Sequence, residues 1–246
     1  MVDDHLTSDV VLRARGLVKV HGVGRGERRI LDGVDLDVHP GELVAIVGRS
    51  GSGKSTLLQL LGGLDRADAG SVEVAGRPVA GPRAPGEREL SALRRTEIGF
   101  VFQFFHLLPE LDGEANVLLP TTLPGADRAS AGRGRELIDR LGLRDVAGLR
   151  PHQLSGGEQQ RFALARALVA DPALVLADEP IGNLDAEAGD TVLDLLRGAA
   201  DHRRAVVMVT HQAEATARAD RVLRLEEGRL VPVTSSDGDV AVHAAG

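Results

Sequence analysis

With 246 residues and no cysteine, the chain can bury one large α/β core or two small ones without disulfides, and thiolate metal sites are excluded. A formal net charge of −7 argues against the basic face that broad nucleic-acid affinity requires, so no nucleic-acid partner is expected. Of its 29 basic residues only Lys19 and Lys54 are lysine, which raises the question of what a compact ammonium does at each place.

Residues 1–9 carry three acids and no apolar stretch, and no later run approaches the roughly 18 to 20 apolar residues that span a bilayer. The chain is expected to be cytoplasmic, neither secreted nor membrane-spanning by itself. Residues 10–17 and 34–38, with 222–225 later, suit short, partly exposed strands at a rim, pairing antiparallel. The Gly-rich stretch 22–26 only superficially resembles a dinucleotide fingerprint, since no buried strand feeds it and no helix follows; a flexible turn is the better reading. Runs rich in Val, Ile and Leu at 43–47, 98–102, 174–177 and 206–209 suit buried parallel strands. Between 104 and 166 strand patterns vanish, and helical ones occupy 129–141 and 158–170, interrupted by Pro109, Pro120, Pro124 and Pro151. This predicts a helical insertion in an α/β core, followed after residue 233 by a small, polar, disordered tail.

Between the strand at 43–47 and a helix over 56–61 lies Gly48-Arg49-Ser50-Gly51-Ser52-Gly53-Lys54-Ser55, matching G-x-x-x-x-G-K-[ST]. Glycines there let successive N–H groups turn inward, and the helix beginning at Thr56 adds its positive end, making an anion nest. Lys54 would reach the β- and γ-phosphates of a nucleotide, and the Ser55 hydroxyl would ligate a bridging Mg²⁺. The run 173–177 ends in Asp178 and Glu179, at the strand end where open α/β sheets place ligands. Adjacent strand residues face opposite ways, so Asp178 is expected to orient the metal and Glu179 to polarise the attacking water. Solvated acids opening a turn at Pro180 are the competing reading, outweighed once the cradle is present. His211 and Gln103 also end strands. The first could touch the γ-phosphate or position water, and the second could ligate Mg²⁺ or hold water. A structural histidine and a surface glutamine are the alternatives.

Ser155 and Glu158 form the pattern of a helix-capping box, which leaves Gly156 and Gly157 unexplained, because two glycines in a first turn weaken a helix. They make sense if a ligand approaches the backbone there. With one cradle per chain, that ligand would be the nucleotide of a second copy in a two-fold dimer.

The cradle, Gln103, Leu154-Ser155-Gly156-Gly157-Glu158-Gln159-Gln160-Arg161, Asp178-Glu179, Asn183-Leu184-Asp185 and His211, in that order, resemble the nucleotide-binding subunit of ABC transporters over residues 10–233. Gly62-Gly63-Leu64-Asp65, residues 100–109 and residues 178–185 resemble the subgroup of lipoprotein-releasing, macrolide-export and cell-division ATPases. The resemblance implies a P-loop NTPase fold: a parallel-sheet core, an antiparallel β subdomain and an inserted helical subdomain over about 104–166. It implies ATP and Mg²⁺ as ligands. ATP would be bound by Gly48, Ser50, Gly51, Ser52, Gly53, Lys54, Ser55 and Thr56 of one copy and by Ser155, Gly156, Gly157 and Asp185 of the other. It further implies catalysis by Glu179 with His211, metal ligation by Ser55, Gln103 and Asp178, integral-membrane permease partners that recognise the cargo, and a position on the inner face of the plasma membrane. His21 stands where the family stacks a tyrosine on adenine, which predicts weaker adenine binding. Gln212 replaces a usual acid and Ile181 a usual threonine. A DNA-repair or translation ATPase would need long coiled coils or a second cassette, and the sequence has neither heptads nor repeats. A transmission role without transport would share this active site, and the sequence leaves it open.

Overall fold

The computed structural model describes residues 10–22, 26–127 and 129–233. The expected tail at 234–246, the amino-terminal nine residues and the centre of the 22–26 turn lie outside the described residues.

Strands β1 (Leu12–His21), β2 (Arg28–Val38), β4 (Ala69–Val74) and β5 (Arg77–Ala80) form an antiparallel sheet in the order β2-β1-β4-β5. A second sheet contains β3 (Leu43–Val47), β6 (Ile98–Val101), β7 (Leu174–Asp178), β8 (Ala205–Val209), β9 (Arg221–Glu226) and β10 (Arg229–Pro232), ordered β10-β9-β3-β8-β7-β6. All of its pairings are parallel except β9 with β10.

The central strands are buried on both faces, and their period of two divides the molecule into two cores. Val44, Ile46, Leu174, Leu176, Val207 and Val209 point to one side, where the antiparallel sheet, α1 (Lys54–Leu61) and α2 (Glu87–Glu97) cover them. Ala45, Val175, Ala177, Val206 and Met208 point to the other, covered by α3 (Gly113–Leu118), α4 (Ser130–Arg140), α5 (Gly156–Leu168) and α6 (Ala186–Ala199). Between β6 and β7 the described residues form α3, α4, α5 and short 3-10 turns, and no strand. A short α7 (Ala213–Thr216) follows β8.

One expectation needs correction. The segment 222–225 is not a purely antiparallel rim strand: β9 runs parallel to β3, with Ala45 opposite Val222, and only its other edge pairs antiparallel with β10. Leu223 and Leu225 are buried, so this strand closes the parallel sheet rather than fringing it. The sequence reading also passed over β4, β5, β10, α2 and α6. In β10 no residue is buried, and in α2 only Leu90 and Leu93 are, so neither carries the periodic apolar signal that reveals an element.

Candidate nucleotide site

The loop 48–53 joins the end of β3 to the start of α1, and its glycines are required for distinct reasons. A Cβ at Gly48 would lie 2.8 Å from the Leu225 carbonyl oxygen and 2.8 Å from Ser52 Oγ. Gly53 sits at φ +102° as the residue before α1, and a Cβ there would meet Ile30 Cγ2 at 2.5 Å. The Ser52 N–H closes the turn onto the Arg49 carbonyl at 3.1 Å. Beyond it the first N–H groups of α1 have no intrahelical acceptor, and the helix's positive end faces the same loop. The Lys54 ammonium lies across this loop, donating to the carbonyls of Gly48 at 2.9 Å and Arg49 at 3.3 Å. Ser50 and Gly51 are exposed, whereas Thr56 is half-buried on the first turn of α1. Ser52 Oγ is buried without a hydrogen-bond partner among the described residues.

Ser55 Oγ donates to Asp178 Oδ1 at 3.2 Å, which joins the start of α1 to the end of β7. Burial pushes the Asp178 carboxyl above the usual aspartate range. The Ser55 bond and the Lys54 charge oppose that rise, and the neighbouring Glu179 charge adds to it. A half-buried carboxylate whose surroundings penalise its charge is a suitable place for a cation.

Glu179 follows Asp178 with φ +44°, a left-handed conformation that costs a non-glycine residue about 1 kcal/mol or more. Its N–H donates to the Val209 carbonyl at 2.9 Å, and its own carbonyl accepts from Gly182 N–H at 3.0 Å. This turn separates the two acids: Asp178 meets Ser55, while Glu179 Oε1 lies 2.9 Å from His211 Nδ1, just past the end of β8. The second carboxylate oxygen, Glu179 Oε2, is buried without a partner among the described residues.

Gln103 lies in the turn after β6. Its side-chain Nε2 would be 3.0 Å from a Cβ at Gly182, and its carbonyl accepts from Asn183 Nδ2 at 3.0 Å. It is therefore packed on the segment that follows Glu179. His21 is exposed at the far end of β1, opposite Arg28. Asp185 caps α6 by accepting from Ala188 N–H at 2.8 Å, a structural task that the sequence reading did not assign to it.

Ser155 caps α5, with Glu158 closing the box onto the Ser155 N–H at 2.7 Å. The two glycines that follow are packed closely. A Cβ at Gly157 would lie 2.9 Å from Ala188 Cβ, and one at Gly156 would lie 3.4 Å from Leu184 Cδ2. Gly157 thus has a packing reason as well as the expected ligand reason. The nearest neighbours of Gly156 and Gly157 belong to the 183–188 segment, with Phe105 and Arg161 slightly farther away, and none of these belongs to the cradle.

Three supporting residues escaped the sequence reading. Gln160 is fully buried on α5 and donates to the Pro180 carbonyl at 2.6 Å, holding the turn after Glu179. Thr210, also fully buried, accepts from Gln212 N–H at 3.1 Å beside His211. Asn116, fully buried on α3, accepts from Leu108 N–H at 2.7 Å and donates to the carbonyls of Leu108, Leu111 and Asp112. A polar residue on a helix face that is otherwise apolar is the signal that would have found Gln160 and Asn116.

Residues 31–182 match the family model described as ABC transporter. The lipoprotein-releasing system ATP-binding protein LolD of Chromohalobacter salexigens is 46% identical over 91% of this chain and 94% of that protein. The macrolide export ATP-binding/permease protein MacB 1/2 of Paracoccus denitrificans is 48% identical over 92% of this chain, which spans only 33% of that protein. A dimeric, post-hydrolysis structure of the ATP-binding cassette MJ0796 bound to ADP and Pi superimposes with a TM-score of 0.78 at 35% identity, covering 89% of this chain and 96% of that one.

Proposed function

The chain belongs to the ABC transporter family, as an ATP-binding and ATP-hydrolysing subunit of the LolD and MacB type, and on that premise we propose how its residues divide the work. The Gly48–Thr56 segment binds the phosphates of ATP, with Lys54 turning from its own loop carbonyls to the β- and γ-oxygens. Ser55, Asp178 and Gln103 fit a Mg²⁺ ion. They are hard oxygen donors, two of them already in contact, and Asp178 is buried at a charge cost that a cation would relieve. When bound, that ion neutralises charge building on the transferred phosphoryl group. Glu179 takes the proton of the attacking water, while His211 orients its carboxylate through Oε1. His21 contacts the base.

The reading further holds that residues 10–233 act as one ATP-binding domain with 104–166 as its helical subdomain. Ser155, Gly156, Gly157 and Asp185 then complete the site of a second copy. The loop 104–111, with Phe104 68% and Leu108 42% exposed, receives an integral-membrane permease partner, which recognises the cargo. Among the described residues no helix is long and apolar enough to cross a membrane, in keeping with a peripheral place on the inner face of the plasma membrane. By similarity to the two relatives, the cargo is of the lipoprotein or macrolide class.

The observation that carries the reading is the division of the two acids between Ser55 and His211. The test is identification, by mass spectrometry, of membrane proteins co-purifying in mild detergent with a tagged Glu179→Gln variant in Mg-ATP. A polytopic partner supports the assignment, and recovery of soluble partners alone overturns the transporter role.

A further inference from the structure

Arg166 lies near the carboxyl end of α5, and its guanidinium has no carboxylate partner among the described residues. Its Nη1 donates to the His106 carbonyl at 2.6 Å and its Nη2 to the Phe105 carbonyl at 2.9 Å. Burial pulls its pKa down, so the charge is held inside the structure at a cost, with two peptide dipoles in place of an anion.

The two acceptors are unusual in their own right. Phe105 at φ +60° and His106 at φ +49° are the only adjacent pair of left-handed non-glycine residues among those described. Histidine tolerates that region better than most residues but phenylalanine does not, so the paired turn persists only where its surroundings over-determine it. The surroundings are few: Phe105 N–H donates to Phe102 O at 3.2 Å, His106 N–H to Phe104 O at 2.6 Å, and the His106 ring stands 4.6 Å from that of Phe102. Arg166 supplies two further bonds, the only hydrogen bonds among the described residues that reach the turn from another element. At the opposite end of α5 a Cβ at Gly156 would lie 3.8 Å from Phe105 Cζ. One helix therefore meets the same turn twice, once beside its amino-terminal glycines and once through Arg166. The turn begins two residues after Gln103, which packs on Gly182 and Asn183.

We infer that Arg166 is a positioning residue that fastens the strained turn at Phe105 and His106 to α5, so that Gln103 and the Ser155–Gly157 helix end move as one body. The inference rests on the nucleotide-site reading of Gln103 and Gly156. A displacement of the exposed loop 104–111 then reaches both halves of the nucleotide site together. A lysine cannot reproduce the fork that spans two successive carbonyls, which makes the position sensitive to a change that keeps the charge.

The experiment compares the full chain with Arg166→Met, which keeps volume but removes all donors, and with Arg166→Lys. Two readouts are followed: amide hydrogen exchange of the peptide covering 104–110, and the kcat and KM of Mg-ATP hydrolysis. In Arg166→Met the loop is expected to exchange at least tenfold faster and kcat to fall at least tenfold, with KM within twofold because the cradle is on α1. Arg166→Lys should fall between. Adding His106→Gly, which removes the left-handed cost at that residue without replacing the fork from α5, should leave both readouts of Arg166→Met displaced, whereas a role in relieving local strain alone would let them recover. Unchanged loop exchange or unchanged kcat in Arg166→Met, or full recovery on adding His106→Gly, overturns the inference. If Arg166→Met does not fold, wild-type exchange and kcat in Arg166→Lys overturn it instead. Failure of the underlying reading is separable: unchanged Mg-ATP hydrolysis by Gln103→Ala and unchanged ATP-dependent dimerisation by Gly156→Ala remove those two residues from the nucleotide site without touching the exchange result.

Discussion

Glu179 Oε1 lies 2.9 Å from His211 Nδ1, between the ends of the neighbouring parallel strands β7 and β8. One carboxylate oxygen is thereby held by the histidine, which fixes the orientation of the group that is to accept a proton from water. Glu179→Gln keeps the shape and removes the basicity. Its turnover should fall by about 10²–10⁴-fold while ATP binding persists. Size-exclusion chromatography in Mg-ATP should then show an ATP-dependent dimer, whereas a monomer hydrolysing at the normal rate would remove Glu179 from this role.

Lys54 donates only to loop carbonyls of its own segment, so its loss should barely disturb the fold. Lys54→Ala is expected to melt within about 4 °C of the wild type without nucleotide, since one half-exposed pair of hydrogen bonds contributes about 1 kcal/mol. Saturating Mg-ATP should raise the wild-type Tm and leave that of the variant nearly unmoved, because a ligand stabilises only the state it binds. Scanning calorimetry with and without nucleotide checks both halves.

Asp178 carries a pH signature of opposite sign to most aspartates. Burial raises its folded pKa above the unfolded value of 3.8, so its favourable contribution is full below that value and is lost as pH rises through the folded pKa. At neutral pH the charge costs stability. Asp178→Asn, which keeps an oxygen to accept from Ser55, should therefore melt higher at pH 7, by about 2–4 °C for each kcal/mol regained, and lose this advantage towards pH 4. Hydrolysis should be abolished across the range. A variant that melts lower at pH 7 would contradict the burial argument.

Gly157 separates packing from ligand approach. Gly157→Ala places a methyl 2.9 Å from Ala188 Cβ and should cost about 1–3 kcal/mol of stability. Adding Ala188→Gly removes the clash and should recover the Tm. If the backbone at Gly157 also faces the nucleotide of a second copy, the recovered double variant will still dimerise poorly in Mg-ATP; full recovery of dimerisation would leave Gly157 a packing residue alone.

His21→Ala tests the base contact. Loss of a partial stacking surface should weaken ATP binding by about tenfold or less, on the order of 1 kcal/mol, with GTP affinity changing in parallel. Unchanged affinity in a titration by calorimetry would remove the exposed His21 from the site.

The sequence by itself determined the buried strands and the chemistry at their ends. The β3 run of five consecutive apolar residues, the cradle after it and the acid pair after β7 are local patterns whose period and glycine content admit few backbones. It could also place Ser155 as a cap, since a capping box is complete within four residues. Tertiary structure alone decided what each of these residues touches. That β9 joins the parallel sheet depends on its pairing with β3, 177 residues away at each register partner, and nothing in its own alternation specifies the partner. That Asp178 faces Ser55 while Glu179 faces His211 depends on a left-handed residue that Glu179 does not intrinsically favour and that the packing of β7 against β8 imposes. Arg166 was invisible for the same reason. An arginine three turns into an amphipathic helix has the pattern of a solvated charge, and only the folded chain brings two strained carbonyls to meet it.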